Sequence, residues 1–295
     1  MNNFHKPVLL KEVIEYLNVR KDSKYIDATL GGGGHTEEIL KLGGKVLGID
    51  VDKDALDFVR DRITQIDNSE NLTLFCGNFK DIDTIAHLNN FDKVSGIILD
   101  LGVSSHQIDT LERGFSYQKN GPLDMRMDKN LSIKAADLLQ ILTKGELNEL
   151  FNKLGEEYSS RRISERIVSA RRIKKLETTD DLLRAILGND HEVSAFERAR
   201  ILSKIFQALR IAVNDELNNL REVLPKAIDL LDKSANLLII SFHSLEDRIV
   251  KKTFEEYEKK GIGEILTKKP IIPSLEEIKN NSRSRSSKLR IFKKI

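Results

Sequence analysis

A run of four glycines stands between a strand-like and a helix-like segment near the N-terminus. The segment Asp27-Ala-Thr-Leu precedes Gly31–Gly34, and His35 follows directly. Glycine lets the backbone approach a ligand closely, and the start of a helix offers amide donors. A purely structural turn would need only one or two glycines, because each costs conformational entropy. We therefore predict a ligand-binding loop, in which His35 either contacts the ligand or only begins the helix.

An acidic residue ends the next strand-like segment, KVLGID. Asp50 stands where an acid can accept hydrogen bonds from both ribose hydroxyls of an adenosine-containing cofactor, and NAD and S-adenosylmethionine both fit. The dinucleotide pattern G-x-G-x-x-G is matched poorly, because the sixth position counted from Gly31 is Thr36. Asp52 competes for the same role, and the alternative is that both acids cap the following helix.

Two further candidates follow the third and fourth strand-like segments. Phe79 in Gly77-Asn78-Phe79 either flanks an adenine ring or belongs to the core. Asp100 ends the apolar segment 94–101, and hydroxyls and an amide follow it in Leu-Gly-Val-Ser-Ser-His-Gln. Because ligands of open α/β sheets bind at the carboxyl ends of the strands, we expect Asp100 to face a catalytic cleft.

The elements that position these residues alternate between strands and helices over the first hundred residues. The apolar pattern predicts strands over residues 24–29, 45–50, 72–76 and 94–101, with helices between them. Four strand–helix units in series indicate a doubly wound parallel sheet covered on both faces. The predicted fold class is therefore α/β, with a Rossmann-like sheet.

The alternation then stops, and residues from about 105 to 195 carry only helical patterns. A long helical stretch over 195–231 follows, and Pro225 predicts a kink or break in it. Strand patterns return at 236–242, 264–268 and 288–292, and Ser244 with Asp247 predicts a capped helix over 245–260. We expect a discontinuous sheet domain of residues 1–105 and 196–295, interrupted by an all-helical insertion of residues 106–195.

Composition excludes several protein classes. Apolar residues make up 40% and charged residues 32% of the 295 residues, which allows a substantial core and excludes a disordered chain. The longest apolar runs are far shorter than the ~20 residues of a membrane span, and the N-terminus lacks the apolar run of a signal peptide. A single cysteine, Cys76, excludes an internal disulfide and a cysteine-based zinc site. We expect a soluble, cytoplasmic protein that uses no metal and contacts no membrane.

Basic residues are clustered, although the 48 Lys and Arg nearly balance the 46 Asp and Glu. Residues 279–295 contain no acid and include Arg283 and Arg285, and a second basic stretch begins with Arg161 and Arg162. Such clusters indicate a polyanionic partner. The alternative is a solvated helix face and a frayed tail.

Six motifs in order resemble one family of enzymes across residues 5–291. They are LGVSS, ERGFS (112–116), GPLDMRMD (121–128), FQALRIAVNDEL (206–217), SFHSLEDRIVK (241–251) and RSRSSKLRI (283–291). The chain thereby resembles the bacterial 16S ribosomal RNA (cytosine-N4)-methyltransferases, the H-type small-subunit enzymes of the MraW-like family.

The resemblance implies a class I S-adenosylmethionine-dependent methyltransferase sheet with an inserted helical domain for rRNA recognition. It implies methylation of N4 of a cytidine in the decoding centre of 16S rRNA. The sequence leaves open whether the substrate is naked rRNA, a precursor particle or the assembled small ribosomal subunit, and whether the protein acts alone or as a homodimer. The cofactor contacts that the resemblance implies are Gly33, Gly34, His35, Asp50, Phe79, Asp100 and Gln107. We expect the rRNA contacts to include Arg161, Arg162, Arg283 and Arg285.

The catalytic residue is harder to assign from sequence, because this chain departs from two general methyltransferase patterns. Thr29 occupies the position of the usual first glycine, and Leu-Gly-Val follows Asp100 instead of Pro-Pro-aromatic. Asp100 and the backbone carbonyls of Leu101–Gly102 are the best candidates to accept hydrogen bonds from the amine, and either Asp100 or water takes the proton. The candidate platforms for the target base, each equally consistent with core packing, are Phe115, Tyr117, Phe242 and His243.

Several alternatives stay open at this stage. Arg126 in DMRMD either holds a phosphate or pairs with Asp124 or Asp128. A nicotinamide oxidoreductase would explain the glycine loop but not the insertion or the basic tail, and a small-molecule methyltransferase would not need two basic stretches. From another class, a non-catalytic rRNA-binding assembly factor on a methyltransferase scaffold is the main competitor.

Overall fold

The computed structural model describes residues 7–64, 66–188 and 194–295. Two compact units divide the chain. A sheet unit comprises Met1–Ser104 and Leu217–Ile295, and a helical unit comprises Ser105–Glu216. We treat each unit separately below.

Within the described residues, the sheet has seven strands in the order β3-β2-β1-β4-β5-β7-β6. Neighbouring strands from β3 to β5 run parallel, and β7 pairs antiparallel with both β5 and β6. The strands are β1 (Lys24–Asp27), β2 (Lys45–Asp50), β3 (Leu72–Cys76), β4 (Val94–Asp100), β5 (Leu231–Ser241), β6 (Gly263–Ile265) and β7 (Lys288–Lys294). The predicted α/β fold class is confirmed.

The helices come in three groups along the chain. Those of the first part of the sheet unit are α1 (Leu10–Leu17), α2 (Gly34–Lys41), α3 (Lys53–Ile63) and α4 (Ile82–Leu88). Those of the helical unit are α5 (Ser105–Asp109), α6 (Ala135–Ile141), α7 (Lys144–Gly155), α8 (Ser160–Ile173), α9 (Thr179–Leu187) and α10 (Ala195–Asn214). The last group is α11 (Glu216–Leu230), α12 (Ser244–Lys259) and α13 (Leu275–Asn280). No described helix is long and apolar enough to cross a membrane.

The sheet is buried on both faces, as the continuous apolar strands predict. Ile97 and Leu99 of β4 belong to one buried cluster, and Ile98 between them belongs to another. Alternate residues of a strand point to opposite faces, so each cluster covers one face of the sheet. The apolar packing of both faces leaves the polar strand ends, Asp50 and Asp100, at the carboxyl edge.

The helical unit ends later than the sequence predicts. The expected insertion stopped at residue 195, but α10 belongs to the helical unit, which continues to Glu216. The reason is packing, because Ile205, Phe206 and Leu209 of α10 lie in the buried core that the other helices of this unit share. Charge and length alone do not reveal which core a helix joins.

The long helical stretch breaks at a different residue from the one predicted. Asp215 separates α10 from α11 with a φ of 50°, and its N–H donates to the carbonyl of Ile211. Aspartate tolerates this left-handed conformation better than most side chains do. Pro225 lies inside α11, so the predicted break there is wrong, and the alternative of a kink stays a prediction.

Candidate active site

Asp27 at the end of β1 ties both ends of the glycine loop together. Its Oδ1 accepts a hydrogen bond from the Thr29 N–H at 3.3 Å, and its Oδ2 accepts one from Thr36 Oγ1 at 2.7 Å. Burial raises the pKa of Asp27 above its ordinary value, against the lowering effects of His35 and of the hydrogen bond from Thr36. The sequence places Asp27 just before the loop, but the residue types alone do not reveal these two contacts.

The glycines of the loop differ in how closely other residues pack against them. A Cβ at Gly33 would lie 2.9 Å from Val59, and one at Gly34 would lie 2.8 Å from Pro7. Close packing therefore requires these two glycines whether or not they contact a ligand. Gly31 is different, since it has a φ of 50° and a Cβ there would meet only the Thr29 carbonyl, 3.9 Å away. The loop thus borders open space at Gly31.

Asp50 at the end of β2 is hydrogen-bonded to the same loop. Its Oδ2 accepts from the Gly31 N–H and its Oδ1 accepts from the Asp52 N–H, both at 2.8 Å. Burial raises the pKa of Asp50 to about 6, although these two hydrogen bonds oppose the rise. Asp52 is the N-cap residue of α3, and its side chain accepts from the Asp54 N–H. The alternative that both acids are caps is therefore wrong.

The segment after β3 is attached to Asp50 through the backbone. The Gly77 N–H donates to the Asp50 carbonyl at 2.9 Å. The Asn78 side chain accepts from the Lys80 N–H and so starts a short 3₁₀ turn over Phe79–Asp81. Phe79 is half-buried and packs against the core cluster below the sheet edge, so part of the ring serves the core and the remainder stays exposed.

Asp100 at the end of β4 is fixed by its backbone on both sides. Its N–H donates to Thr29 Oγ1 at 2.6 Å, and the next amide, that of Leu101, donates to the Ile240 carbonyl of β5. Thr29 therefore joins the end of β1 to the end of β4. In the sequence, Thr29 stands out only as a departure from the usual glycine; in the structure, its side chain supplies a contact that a glycine lacks.

His35 lies beside the carboxylate of Asp100. Its Nδ1 is 4.0 Å from Asp100 Oδ2, and its Nε2 is 3.0 Å from the Val8 carbonyl. A carbonyl only accepts, so Nε2 carries a proton and Nδ1 faces the carboxylate. His35 is buried in the first turn of α2, and it links the N-terminal segment to Asp100 while it begins the helix.

A second glycine with open surroundings follows Asp100. Gly102 has a φ of 98°, and a Cβ there would meet only the Phe242 ring, 3.8 Å away. Adjacent strands β1 and β4 are thus both followed by a glycine that borders open space. These are the ends of parallel strands where α/β proteins bind ligands.

The remaining site candidates lie outside the strand ends described above. Gln107 is buried in α5 of the helical unit. Arg161 and Arg162 are exposed on α8, where Arg161 Nε lies 3.7 Å from Glu165. Arg283 and Arg285 are exposed in a 3₁₀ segment of the sheet unit. The roles of these five residues stay predictions.

Contacts decide three alternatives that the sequence leaves open in the helical unit. Arg126 donates to both carboxylate oxygens of Asp124, at 2.7 and 2.8 Å, and to the Lys129 carbonyl. It pairs with Asp124, so the structure favours this role over phosphate binding.

Phe115 and Tyr117 pack against the helical core, and the Tyr117 ring meets Phe206 edge-on at 5.7 Å.

The predicted cap of α12 is wrong by one residue. His243 is the N-cap, and Glu246 Oε2 accepts from the Phe242 N–H at 2.8 Å and from the His243 N–H at 3.3 Å. Asp247 instead binds Arg290 of β7, with 2.6 Å between Oδ1 and Nε. The sequence could not show this pairing, because the two residues are far apart in the chain.

The whole chain matches a known protein family. Residues 2–295 match the family described as the MraW methylase family. This chain belongs to the MraW methylase family. The predicted resemblance is therefore confirmed, as is the methyltransferase class of the fold, and S-adenosylmethionine is the cofactor of this methylase.

Relatives of this methylase cover its full length. A ribosomal RNA small subunit methyltransferase H from Persephonella marina is 44% identical, over 99% of both chains. The protein of the same name from Coprothermobacter proteolyticus is 41% identical, over 100% of this chain and 98% of its own. A solved structure, an rRNA methylase from Streptococcus thermophilus, is 13% identical with a TM-score of 0.46, covering 96% of this chain and 95% of its own. The last likeness is too weak to support an inference.

The residues of the sheet edge fit S-adenosylmethionine. Its adenosine part needs an acceptor for the ribose hydroxyls, and the Asp50 carboxylate stands at the end of β2 with its backbone fixed to the segment after β3. The cofactor also needs space close to the backbone, and glycines, which lack a side chain, leave that space after β1 at Gly31 and after β4 at Gly102.

Proposed function

We propose that this methylase transfers a methyl group from S-adenosylmethionine to N4 of a cytidine in the decoding centre of 16S rRNA, in the cytoplasm. The observation that carries the proposal is the buried Asp100 carboxylate, which ends β4 two residues before Gly102, where a Cβ would meet only the Phe242 ring. A charged acceptor in this place suits an amine that must lose a proton. The names of the two full-length relatives support ribosomal RNA as the substrate.

In this proposal, each of the cofactor-binding residues contacts a different part of S-adenosylmethionine. Asp50 accepts hydrogen bonds from the ribose hydroxyls, and the exposed part of Phe79 flanks the adenine. The loop of Gly33, Gly34 and His35 supports the rest of the molecule, and Asp100 with Gln107 completes the predicted set. Bound S-adenosylmethionine supplies a methyl group already activated by the positive sulfur.

Asp100 supplies the chemistry that the nucleophile lacks. The lone pair of cytosine N4 is delocalised into the ring, which makes the amine weakly nucleophilic. A carboxylate that accepts a hydrogen bond from this amine localises the lone pair and stabilises the positive charge that develops on nitrogen. Thr29 fixes the backbone of Asp100 through the 2.6 Å contact to its amide, and the His35 imidazole lies beside the carboxylate, with Nδ1 4.0 Å from Oδ2.

The proton leaves N4 during or after methyl transfer. Asp100 Oδ2 or a water molecule accepts it in this proposal. An acceptor is needed because burial disfavours an unpaired charge on the methylated amine.

Ribosomal RNA or the small ribosomal subunit is the proposed partner. The exposed pairs Arg161 with Arg162 and Arg283 with Arg285 are proposed phosphate contacts. The first pair belongs to the helical unit, which we propose recognises rRNA, and the second belongs to the sheet unit.

The experiment that tests this function compares cells with and without the gene. Small-subunit rRNA is digested to nucleosides, and N4-methylcytidine is measured by mass spectrometry and mapped by primer extension. The proposal expects the modification at one decoding-centre cytidine only when the protein is present. Unchanged N4-methylcytidine, together with rRNA binding by the purified protein, would instead favour a non-catalytic assembly factor.

A further inference from the structure

Tyr158 is the most exposed aromatic side chain among the described residues of the helical unit. It follows the C-terminal end of α7 in the turn before α8, and 91% of it is accessible to solvent. The ammonium group of Lys204 lies over the ring, 5.3 Å from the centroid. A ring of this exposure lies outside the hydrophobic core, and the cation over it makes it a candidate for stacking and charge contacts with a ligand.

A buried carboxylate fixes the surroundings of this ring. The Glu157 side chain is 0% exposed, and its Oε2 lies 3.8 Å from Arg200 and 3.7 Å from Lys204. Its Oε1 accepts a hydrogen bond from the Ser159 N–H at 2.9 Å. Glu157 therefore anchors the turn that carries Tyr158 to two cations of α10.

The cations of α10 continue in a row toward a second exposed ring. Phe196, Arg200 and Lys204 are spaced four residues apart, which places them along one face of the helix over about 12 Å. Phe196 is 79% exposed. We call Tyr158, Lys204, Arg200 and Phe196 the aromatic–cationic stripe.

We propose that the aromatic–cationic stripe binds a single-stranded segment of the rRNA substrate, with an unpaired base stacked on Tyr158. Aromatic rings interleaved with cations are what single-stranded nucleic acids need, because bases stack on the rings while cations contact the phosphates. The exposed Arg161 and Arg162 begin α8 directly after the Tyr158 turn and extend the positive surface. Arg200 and Lys204 already lie beside Glu157, and Arg200 also pairs with Glu197 at 2.7 Å. An acidic protein surface would therefore add little to these cations and would leave both rings without a stacking partner.

This inference rests on the proposed function, since it names how the rRNA of that reaction is held. Methyl transfer at N4 requires an unstacked cytidine, and rRNA sequences that present such bases are recognised in single-stranded form. Stacking on Tyr158 would hold an unpaired nucleotide of such a single-stranded segment.

The test uses the full-length protein with deproteinised 16S rRNA as the probe. Tyr158→Ala should weaken binding about 5- to 100-fold, the range of one base–aromatic stack. Tyr158→Phe keeps the ring and should bind like the wild type. Ile141→Ala removes an exposed apolar side chain of α6 outside the stripe and should change nothing. Cofactor affinity, measured by calorimetry, should be equal in all four proteins.

Tyrosine fluorescence supplies a direct readout of stacking. The chain contains five tyrosines and no tryptophan, so tyrosine emission is not masked. Short oligouridine should quench the wild-type emission, and Tyr158→Phe should lose that quenching while it retains affinity. Wild-type rRNA affinity in Tyr158→Ala, or equal quenching in Tyr158→Phe, would overturn the inference.

Failure of the inference is distinguishable from failure of the proposed function. If the wild-type protein methylates cytidine N4 and Tyr158→Ala does so with the same KM for rRNA, only the stripe is refuted. If no variant methylates cytidine but the Tyr158→Ala defect in binding persists, the reaction is refuted and the stripe stands. A stripe that captures an acidic protein but not oligouridine would also overturn the RNA assignment.

Discussion

The backbone N–H of Asp100 donates a 2.6 Å hydrogen bond to Thr29 Oγ1. This contact connects the ends of two adjacent parallel strands, β1 and β4, at the edge where the cofactor and the amine meet in our proposal. The orientation of the carboxylate therefore depends on a hydroxyl in the segment that leads from β1 into the glycine loop.

Replacing Thr29 by valine should slow methyl transfer without weakening rRNA binding. Valine keeps the shape but removes the acceptor, which leaves the half-buried Asp100 amide without this partner at a cost of about 1–2 kcal/mol. Misplacement of the carboxylate should lower kcat about 10-fold. Steady-state kinetics should show an unchanged KM for rRNA.

Thr29→Ser is the matched control, because serine retains the accepting oxygen. It should preserve most of the wild-type kcat. Equal kcat values for the valine and serine variants would mean that the hydroxyl does not position Asp100.

Replacing Asp50 by alanine should weaken cofactor binding while the fold persists. The hydrogen bonds to the ribose that this change removes are charge-assisted, worth roughly 1.5–3 kcal/mol, or about 10- to 150-fold in affinity. Calorimetry with S-adenosylmethionine measures the effect. Asp57→Ala removes an exposed acid of the neighbouring helix α3 and should bind the cofactor normally. If the two variants bind alike, the ribose contact lies elsewhere.

Cofactor affinity should also depend on pH through the same carboxylate. Burial raises the pKa of Asp50 to about 6, and the ribose hydroxyls donate to its ionised form. Affinity should therefore be constant above about pH 7 and fall as the pH decreases through 6, by up to about tenfold per pH unit. Asp50→Asn should bind more weakly but without this dependence, and a wild-type affinity that stays flat down to about pH 5 would contradict the assignment.

Replacing Asp247 by asparagine should destabilise the sheet unit. Burial alone would raise the pKa of Asp247, but the hydrogen bonds and charges of Arg290 and Lys288 outweigh it and hold the pKa below its ordinary value. Loss of the charge-assisted pair should lower the free energy of unfolding by about 1–3 kcal/mol, measured by urea denaturation. Glu255→Gln, in an exposed pair on the same helix, should change stability little.

The contribution of Asp247 should disappear in acid. A carboxyl whose folded pKa is depressed stabilises the protein above its unfolded pKa, and this stability is lost as pH falls through the folded pKa. The stability difference between wild type and Asp247→Asn should therefore shrink below about pH 4. A difference that persists at lower pH would show that the ion pair is not its source.

Arg283→Gln combined with Arg285→Gln should weaken rRNA binding and flatten its salt dependence. Removal of each phosphate contact should reduce the slope of log affinity against log salt by about one unit. Charge changes are cleaner than truncation, because β7 begins only three residues after Arg285 and lies between β5 and β6. Lys251→Gln with Lys252→Gln removes the same charge from α12 as a control, and identical slopes in the two double variants would refute a specific contact.

The sequence predicted the parallel sheet well, because its evidence is local. β2 and β3 begin and end at the predicted residues, since continuous apolar runs define buried strands. The break between α10 and α11 was not predictable in the same way. Asp215 adopts a left-handed conformation that many aspartates avoid, whereas Pro225 carries the stronger local breaking signal and is nevertheless accommodated within a helix.

The candidate site was predictable in its strand-end acids but not in their supports. Asp50 and Asp100 follow apolar segments, so their place at the sheet edge comes from chain order alone. The contact of Thr29 with Asp100 and that of Val8 with His35 join residues distant in sequence. Such contacts arise from how strands and loops pack, and no spacing of residue types encodes them.

Single-turnover methylation of small-subunit rRNA by the wild type and by Asp100→Asn shows whether the Asp100 carboxylate takes part in the methyl transfer. Labelled S-adenosylmethionine and rRNA are both saturating, so affinity differences drop out, and the product is digested and identified as a nucleoside. The account predicts N4-methylcytidine from the wild type and a rate about 10²–10⁴-fold lower for Asp100→Asn. An equal rate for the variant, or a label on any other atom than cytidine N4, would contradict it.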